Sequence, residues 1–195
     1  MLKWRTVRGG RGFTLVELMV TIALMALLTA LAFPSMVTWI RNSKVRTVGD
    51  ALQNGLRLAQ TESLRRSRQV VFSLTDSATP VNGLAAKANG ANWSINLVHP
   101  TDPAFIESGT LSSVGSGVTI HGPAAICFNS IGRLVPIPDS GIDGGQCRAT
   151  AIPARYEIAV DGADRPLQVR VEIGGQVRMC DPAKTLSSAH PDGCP

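Results

Sequence analysis

GFTLVELMVTIALMALLTALAFPSMVTWI, residues 12–40, decides how this chain is read. Within it Glu17 is the one charged residue, and Arg11 and Arg41 bracket it. Leu18–Ile40 alone offers about 23 uncharged residues, enough to cross a bilayer as a single helix. A carboxylate set near hydrocarbon costs about 3 kcal/mol on insertion scales, so Glu17 marks function and calls for a partner.

Working outward, the stretch is preceded by the basic, glycine-rich sequence Arg8-Gly9-Gly10-Arg11-Gly12. A secretory signal peptide places its small-residue cleavage site after a short apolar core. Here the small residues come before the core, and no Ala-x-Ala site follows it ahead of Arg41. Lys3, Arg5, Arg8 and Arg11 put positive charge on one side of the span, which the positive-inside rule reads as cytoplasmic. Those four belong to a total of 19 Lys and Arg, leaving 15 against 14 Asp and Glu in the rest of the chain. The net charge of +5 is therefore mostly a topology signal.

The order Gly12-Phe13-Thr14-Leu15-Val16-Glu17 opening an apolar helix resembles the class III signal of type IV pilins and pseudopilins. The resemblance implies that a prepilin peptidase cuts between Gly12 and Phe13 on the cytoplasmic face and methylates Phe13. It further implies that Glu17, fifth in the mature chain, pairs with the N-terminal amine of a neighbouring subunit, which supplies the partner its burial requires. Pro34 falls where pilin helices kink, a proline there removing a hydrogen bond and crowding the preceding turn.

Beyond the span the helical pattern continues. Val45, Val48, Leu52, Leu56 and Ala59 recur at three- and four-residue intervals, predicting one helix from about Phe13 to about Arg66 whose second half lays an apolar stripe on a sheet. Strands are expected at 69–74, 92–98, 118–121, 125–129, 133–137, 156–160, 167–173 and 176–180, where β-branched and aromatic residues lie between glycines, prolines and asparagines. Leu167, Val169, Val171 and Ile173 alternate with polar residues, and Gly174-Gly175 reads as a two-residue hairpin turn. The fold class is α+β: a pilin-like long N-terminal transmembrane helix whose C-terminal half packs on an antiparallel β-sheet head. The segments are a cleaved leader (1–12), a membrane or filament-core half-helix (13–40), an amphipathic half-helix (41–68) and a β-rich periplasmic head (69–195).

The run Leu56-Arg57-Leu58-Ala59-Gln60-Thr61-Glu62-Ser63 with Arg65 and Arg66, the strand and turn Phe128–Gly132, and Gly175-Gln176-Val177-Arg178 are similar to the GspH/FimT group of minor pseudopilins and pilins. That resemblance implies a structural subunit of a priming or tip complex, in type IV pilus biogenesis or in the type II secretion pseudopilus. Its partners would be other minor and major pilins or pseudopilins, the prepilin peptidase and an inner-membrane assembly platform. The protein would sit in the inner membrane by one pass, head in the periplasm, before entering the filament. Some FimT-like members bind DNA through arginines around a Gly-Arg-x-Arg hairpin, so a DNA-binding minor pilin for natural transformation is the alternative. Here Gln176 replaces the first arginine, leaving Arg170, Arg178 and Lys184 as candidate contacts beside Glu172, Asp181 and Asp192. A nearly neutral head favours subunit contacts over phosphate binding.

Cys127, Cys147, Cys180 and Cys194 all follow the span, on the side read as outside the cytoplasm, and are too widely spaced for a CxxC site. An even count in an oxidising compartment predicts two disulfides. Four cysteines allow three connectivities, and joining sequence neighbours, Cys127 with Cys147 and Cys180 with Cys194, closes the loops without threading. His99, His121 and His190 are scattered, and the chain has no Gly-x-Ser-x-Gly elbow, phosphate loop or His-Glu-x-x-His pair. No cofactor or metal is expected, and the chain reads as an enzyme's substrate, not an enzyme.

Overall fold

The computed structural model describes residues 12–77, 79, 84–147 and 153–195. The proposed leader lies outside these residues except for Gly12. The chain divides into two compact units, Met1–Val37 and Thr38–Pro195. Helix α1, Leu15–Arg66, supplies the described helical residues of the first unit and the first element of the second.

In the first unit α1 is apolar on every side, and Leu15, Met25, Leu31 and Phe33 are among its exposed residues. Its polar side chains largely turn inward on the backbone: Thr21 Oγ1 donates to the Leu18 carbonyl at 2.9 Å and Thr29 Oγ1 to that of Met25 at 2.7 Å. Apart from the ladder bond that Pro34 cannot donate, such a helix meets its interior backbone groups within itself, and this one is long and apolar enough to cross a membrane.

In the second unit Val45, Val48, Leu52, Leu56 and Ala59 are all at most 1% exposed. They form one core with residues of two sheets. The first sheet has β1 (Val70–Thr75), β2 (Asn92–Leu97), β3 (Phe105–Gly109) and β5 (Ala125–Phe128), in the antiparallel order β3-β2-β1-β5. The short helix α2 (Leu111–Val114) follows β3. The second sheet has β4 (Val118–His121), β6 (Ala154–Val160), β7 (Leu167–Val171), β8 (Val177–Thr185) and β9 (Gly193–Cys194), in the order β4-β6-β7-β8-β9, with only β8 and β9 parallel. Phe72 of β1 stacks on Trp93 at 5.7 Å and meets Tyr156 of β6 edge-on at 6.2 Å, joining the two sheets through one aromatic seam.

The head is thus two sheets where the sequence predicted one. The expected strand at 133–137 is not formed: Leu134 and Ile137 make isolated bridges to Phe128 and Cys147. Val135 N–H donates to the Cys127 carbonyl at 3.0 Å, capping the outer edge of β5. Pro136 and Pro138 have no N–H to continue a ladder, so the first sheet stops there. Strands β3 and β9 and helix α2 were not anticipated. Each is five residues or shorter, and β9 gains its place from a covalent neighbour. The hairpin between β7 and β8 also differs: Gly175 N–H donates to the Glu172 carbonyl at 2.7 Å and Glu172 N–H to that of Gln176 at 2.9 Å. That makes a three-residue loop, with Gly175 at φ +92°, and not a two-residue turn.

Disulfides join Cys127 to Cys147 (Cα–Cα 5.7 Å) and Cys180 to Cys194 (5.1 Å). The first holds a loop against the outer face of the first sheet, over a small core of Val71, Ala125, Ile137 and Ile142. The second closes a 14-residue separation and ties β9 to β8.

Two local devices fix α1 in the head. Gly55 faces the Trp93 indole so closely that a Cβ would lie 2.7 Å from Trp93 Cε2, and Gly109 presses the same ring so that its Cβ would lie 2.5 Å from that atom. At the helix end, Ser67 adopts φ +50° while Arg68 N–H donates to the Ser63 carbonyl and Ser67 N–H to that of Leu64, both at 3.2 Å. This is a Schellman closure with serine in the usual glycine place. The buried Glu62 carboxylate takes two bonds from Arg65 (2.9 and 2.7 Å) and one from Arg66 (2.7 Å). A carboxylate in the last turns opposes the helix dipole, and the paired guanidinium groups offset it.

Two measurements test these devices. Gly55→Ala gains about 1 kcal/mol of helix propensity but overpacks a ring clamped from both sides, typically costing about 1–3 kcal/mol. We expect a lower Tm; an unchanged or higher Tm means that Trp93 has room to shift. Hydrogen bonds from Arg65 and then Arg66 hold the Glu62 pKa down at about 2. A depressed carboxylate contributes stability above its unfolded value near 4.5, and that contribution is lost as pH falls through about 2. The Tm difference between wild type and Glu62→Gln is expected to be full at pH 6 and to close toward pH 2. A difference independent of pH removes the ion cluster as its cause.

Candidate assembly and binding surfaces

The first candidate surface is the start of α1. Thr14 caps it: Thr14 Oγ1 accepts from Glu17 N–H at 3.2 Å and the Thr14 carbonyl accepts from Leu18 N–H at 3.1 Å. Thr14-Leu15-Val16-Glu17 is thereby a capping-box sequence, a signal the periodicity reading passed over. The Glu17 backbone helps close the first turn, while its side chain is exposed among Phe13, Leu15, Val16 and Leu18 and has no hydrogen-bond or ion partner among the described residues. Gly12 precedes the helix with open space around its Cα. Pro34 lies inside α1, which runs on through it as helix. The site therefore offers one carboxylate, at the first turn of an apolar surface left exposed among the described residues.

The second is the basic hairpin end of the head. Arg170 is only 7% exposed, its guanidinium donating to the backbone oxygen of Pro195 at 2.7 Å with Nε 3.6 Å from the Glu172 carboxylate. Lys184 lies 2.5 Å from Asp192 and 3.5 Å from Asp181. Asp192 above all raises the lysine pKa, and the lysine in turn lowers that of Asp192. Only Arg178, directly across the ladder from Arg170, has no acidic partner among the described residues. The three candidate DNA contacts do not form a free cationic patch: Arg170 is buried on Pro195, and Lys184 is paired with carboxylates at the surface.

What sequence order concealed is a different grouping. Arg57 donates to the Val177 carbonyl at 3.3 Å, tying α1 to the start of β8. Gln60 Nε2 donates to the Gly132 carbonyl at 3.1 Å, and the Leu134 N–H donates to the Ile173 carbonyl at 3.1 Å. The end of α1, the turn at 129–133 and the hairpin loop at 172–176 therefore meet at one end of the head. That end carries arginines 57, 65, 66, 68, 133 and 178 against Glu62 and Glu172. The nearly neutral head is charge-segregated, which no reading of totals reveals. Among the described residues no three His, Cys, Asp or Glu side chains converge as metal ligands.

The prokaryotic N-terminal methylation motif matches residues 8–33. No curated protein matches the chain. Two crystal structures of the type IV minor pilin FimU from Pseudomonas aeruginosa strain PAO1 are similar to it. The form in space group P65 shares 16% identity over 70% of this chain and 96% of that one, with a TM-score of 0.50. The P21 form shares 14% over 74% and 96%, with a TM-score of 0.53. The chain thus joins a prepilin-type methylation motif to a long apolar helix and an antiparallel-sheet head with the pilin fold seen in FimU.

Proposed function

We propose that the protein is a minor pilin or pseudopilin of the GspH/FimT kind, a structural subunit of a priming or tip complex in a type IV pilus or a type II secretion pseudopilus. The observation that carries this reading is a methylation motif at residues 8–33 running into a helix that is exposed and apolar on all sides ahead of a folded head. An apolar helix of that kind needs either lipid or other copies of itself around it. A pilin uses both in turn, first anchored in the inner membrane with a periplasmic head and then packed in a filament core. In this reading residues 1–12 are the leader, 13–40 the membrane and filament-core half of the helix, and Pro34 a place where its ladder is interrupted.

Prepilin peptidase would cut between Gly12 and Phe13 and methylate Phe13. Cleavage creates an amine at Phe13, four residues before Glu17, at a helix start whose carboxylate has no partner among the described residues. The same group on a neighbouring subunit supplies one, and the pair sets the axial register of assembly. The DNA-receptor alternative is less well supported: Arg170 and Lys184 are engaged within the head, Gln176 stands where an arginine is wanted, and phosphate affinity grows with the number of free cations.

Mass spectrometry of the membrane-extracted protein is expected to find N-methyl-Phe13 as the first residue; an intact Met1 would sink the reading. Glu17→Val should insert in the membrane as wild type does. Breaking a buried ion pair costs about 3–5 kcal/mol, so incorporation into sheared filaments should fall at least about tenfold. Undiminished incorporation removes Glu17 from assembly.

A further inference from the structure

The end of the head where α1, the turn at 129–133 and the β7–β8 hairpin meet exposes apolar side chains of a size usually buried. Leu64 is 49% exposed, Ile131 66% and Ile173 41%, one on each element. The three elements are locked together by more than the Gln60–Gly132 and Leu134–Ile173 bonds. Gly132 is at φ +75°, a backbone conformation that side chains strain, and it lies against Gln60 and Leu64; a Cβ at Gly175 would lie 1.8 Å from the Gly132 oxygen. Two glycines thus permit a contact of backbone on backbone that holds the apolar residues in a fixed arrangement. A preformed apolar patch binds with little ordering cost.

Its rim is predominantly basic, with Glu62 and Glu172 turned to Arg65, Arg66 and Arg170. Arg65 and Arg66 are occupied by Glu62, and Arg57 by the Val177 carbonyl, which leaves Arg68, Arg133 and Arg178 flanking the patch without acidic partners among the described residues. Among the described residues no lysine lies there: Lys44 bonds Ser116, Lys87 pairs with Asp76 and Lys184 with Asp192. Arginine around an apolar centre, with lysine excluded, is the composition of a protein–protein interface. A nucleic-acid surface would want exposed aromatic rings for stacking, and none of the exposed large apolar residues at this end is aromatic.

We infer that Leu64, Ile131 and Ile173, rimmed by Arg68, Arg133 and Arg178, form a docking face for a different assembly subunit that presents an apolar socket edged with carboxylates. The inference rests on the subunit reading above and names the surface through which that subunit meets its neighbour. A second copy of this chain is the poorer occupant, because Asp164, in the loop between β6 and β7, already accepts from Asn42 and adjoins Arg165, while Arg41 donates to the Gly162 carbonyl of the same loop.

A photo-crosslinking residue placed at Ile131 of the full-length protein in its own membrane tests it, with Val114, 47% exposed on α2, as the control position. Expected is a light-dependent adduct at 131 with a different protein, mapped by mass spectrometry to an Asp- or Glu-rich surface and at least about tenfold weaker at 114. Arg68→Glu with Arg133→Glu should lower its yield about tenfold, each factor of ten being about 1.4 kcal/mol, with both disulfides intact on a non-reducing gel. A nuclease-sensitive adduct, a lipid adduct, a dimer of this chain, equal yield at both positions, insensitivity to charge reversal or no adduct overturns the docking face. Methyl-Phe13 found alongside such a result leaves the subunit reading standing, whereas an intact Met1 overturns both.

Discussion

Burial of one stripe of α1 against two sheets is the interaction on which the head depends. Val45, Val48, Leu52, Leu56 and Ala59 reach the inner faces of both sheets, so neither sheet closes a core without the helix. The larger of these side chains stabilise the fold by about 1.5–3 kcal/mol each when fully buried. The glycines in that stripe are part of the same constraint: Gly55 gives up helix propensity so that Trp93 can lie flat against the backbone. The indole in turn stacks on Phe72, and Phe72 meets Tyr156, so one close approach on the helix sets the seam between the sheets.

The same helix imposes opposite demands along its length. In Met1–Val37 its described side chains are exposed and apolar, a surface that water does not tolerate and that lipid or neighbouring helices accept. In Thr38–Pro195 it ends in a cluster where Glu62 is held by two arginines and Ser67 closes the last turn. Disulfides take over where the hydrophobic core is thin. Cys127–Cys147 secures a loop with only a small satellite core beneath it, and Cys180–Cys194 secures a two-residue strand. Each such link typically contributes about 3 kcal/mol by restricting the unfolded chain.

Legibility in the sequence followed the range of the forces involved. The helix was readable to within two residues at its start because the 3.6-residue period, the apolar run and the closing arginines are all local. Strands β1, β2, β4, β5 and β7 were readable from β-branched runs between breakers, whereas β3 and β9 are too short to carry a pattern and exist through their neighbours. The segment at 133–137 looked like a strand by composition, and its prolines prevailed. At the hairpin, counting two glycines suggested a tight turn. The backbone instead places only Gly175 of the two at positive φ, because a three-residue loop needs the left-handed conformation at its last position alone.

Sequence alone determined the apolar helix, the motif around Gly12, Phe13 and Glu17, the amphipathic switch near Arg41 and the α+β class, since each is a matter of residues near one another along the chain. Only the tertiary structure decided that the head is two sheets, that Arg170 turns inward to Pro195, and that six arginines dispersed from Arg57 to Arg178 share one end with Leu64, Ile131 and Ile173. Charge and exposure are properties of position in space. Beyond its basic leader the chain is nearly neutral by count, and it becomes polarised only when α1, the turn at 129–133 and the β7–β8 hairpin are bonded side by side.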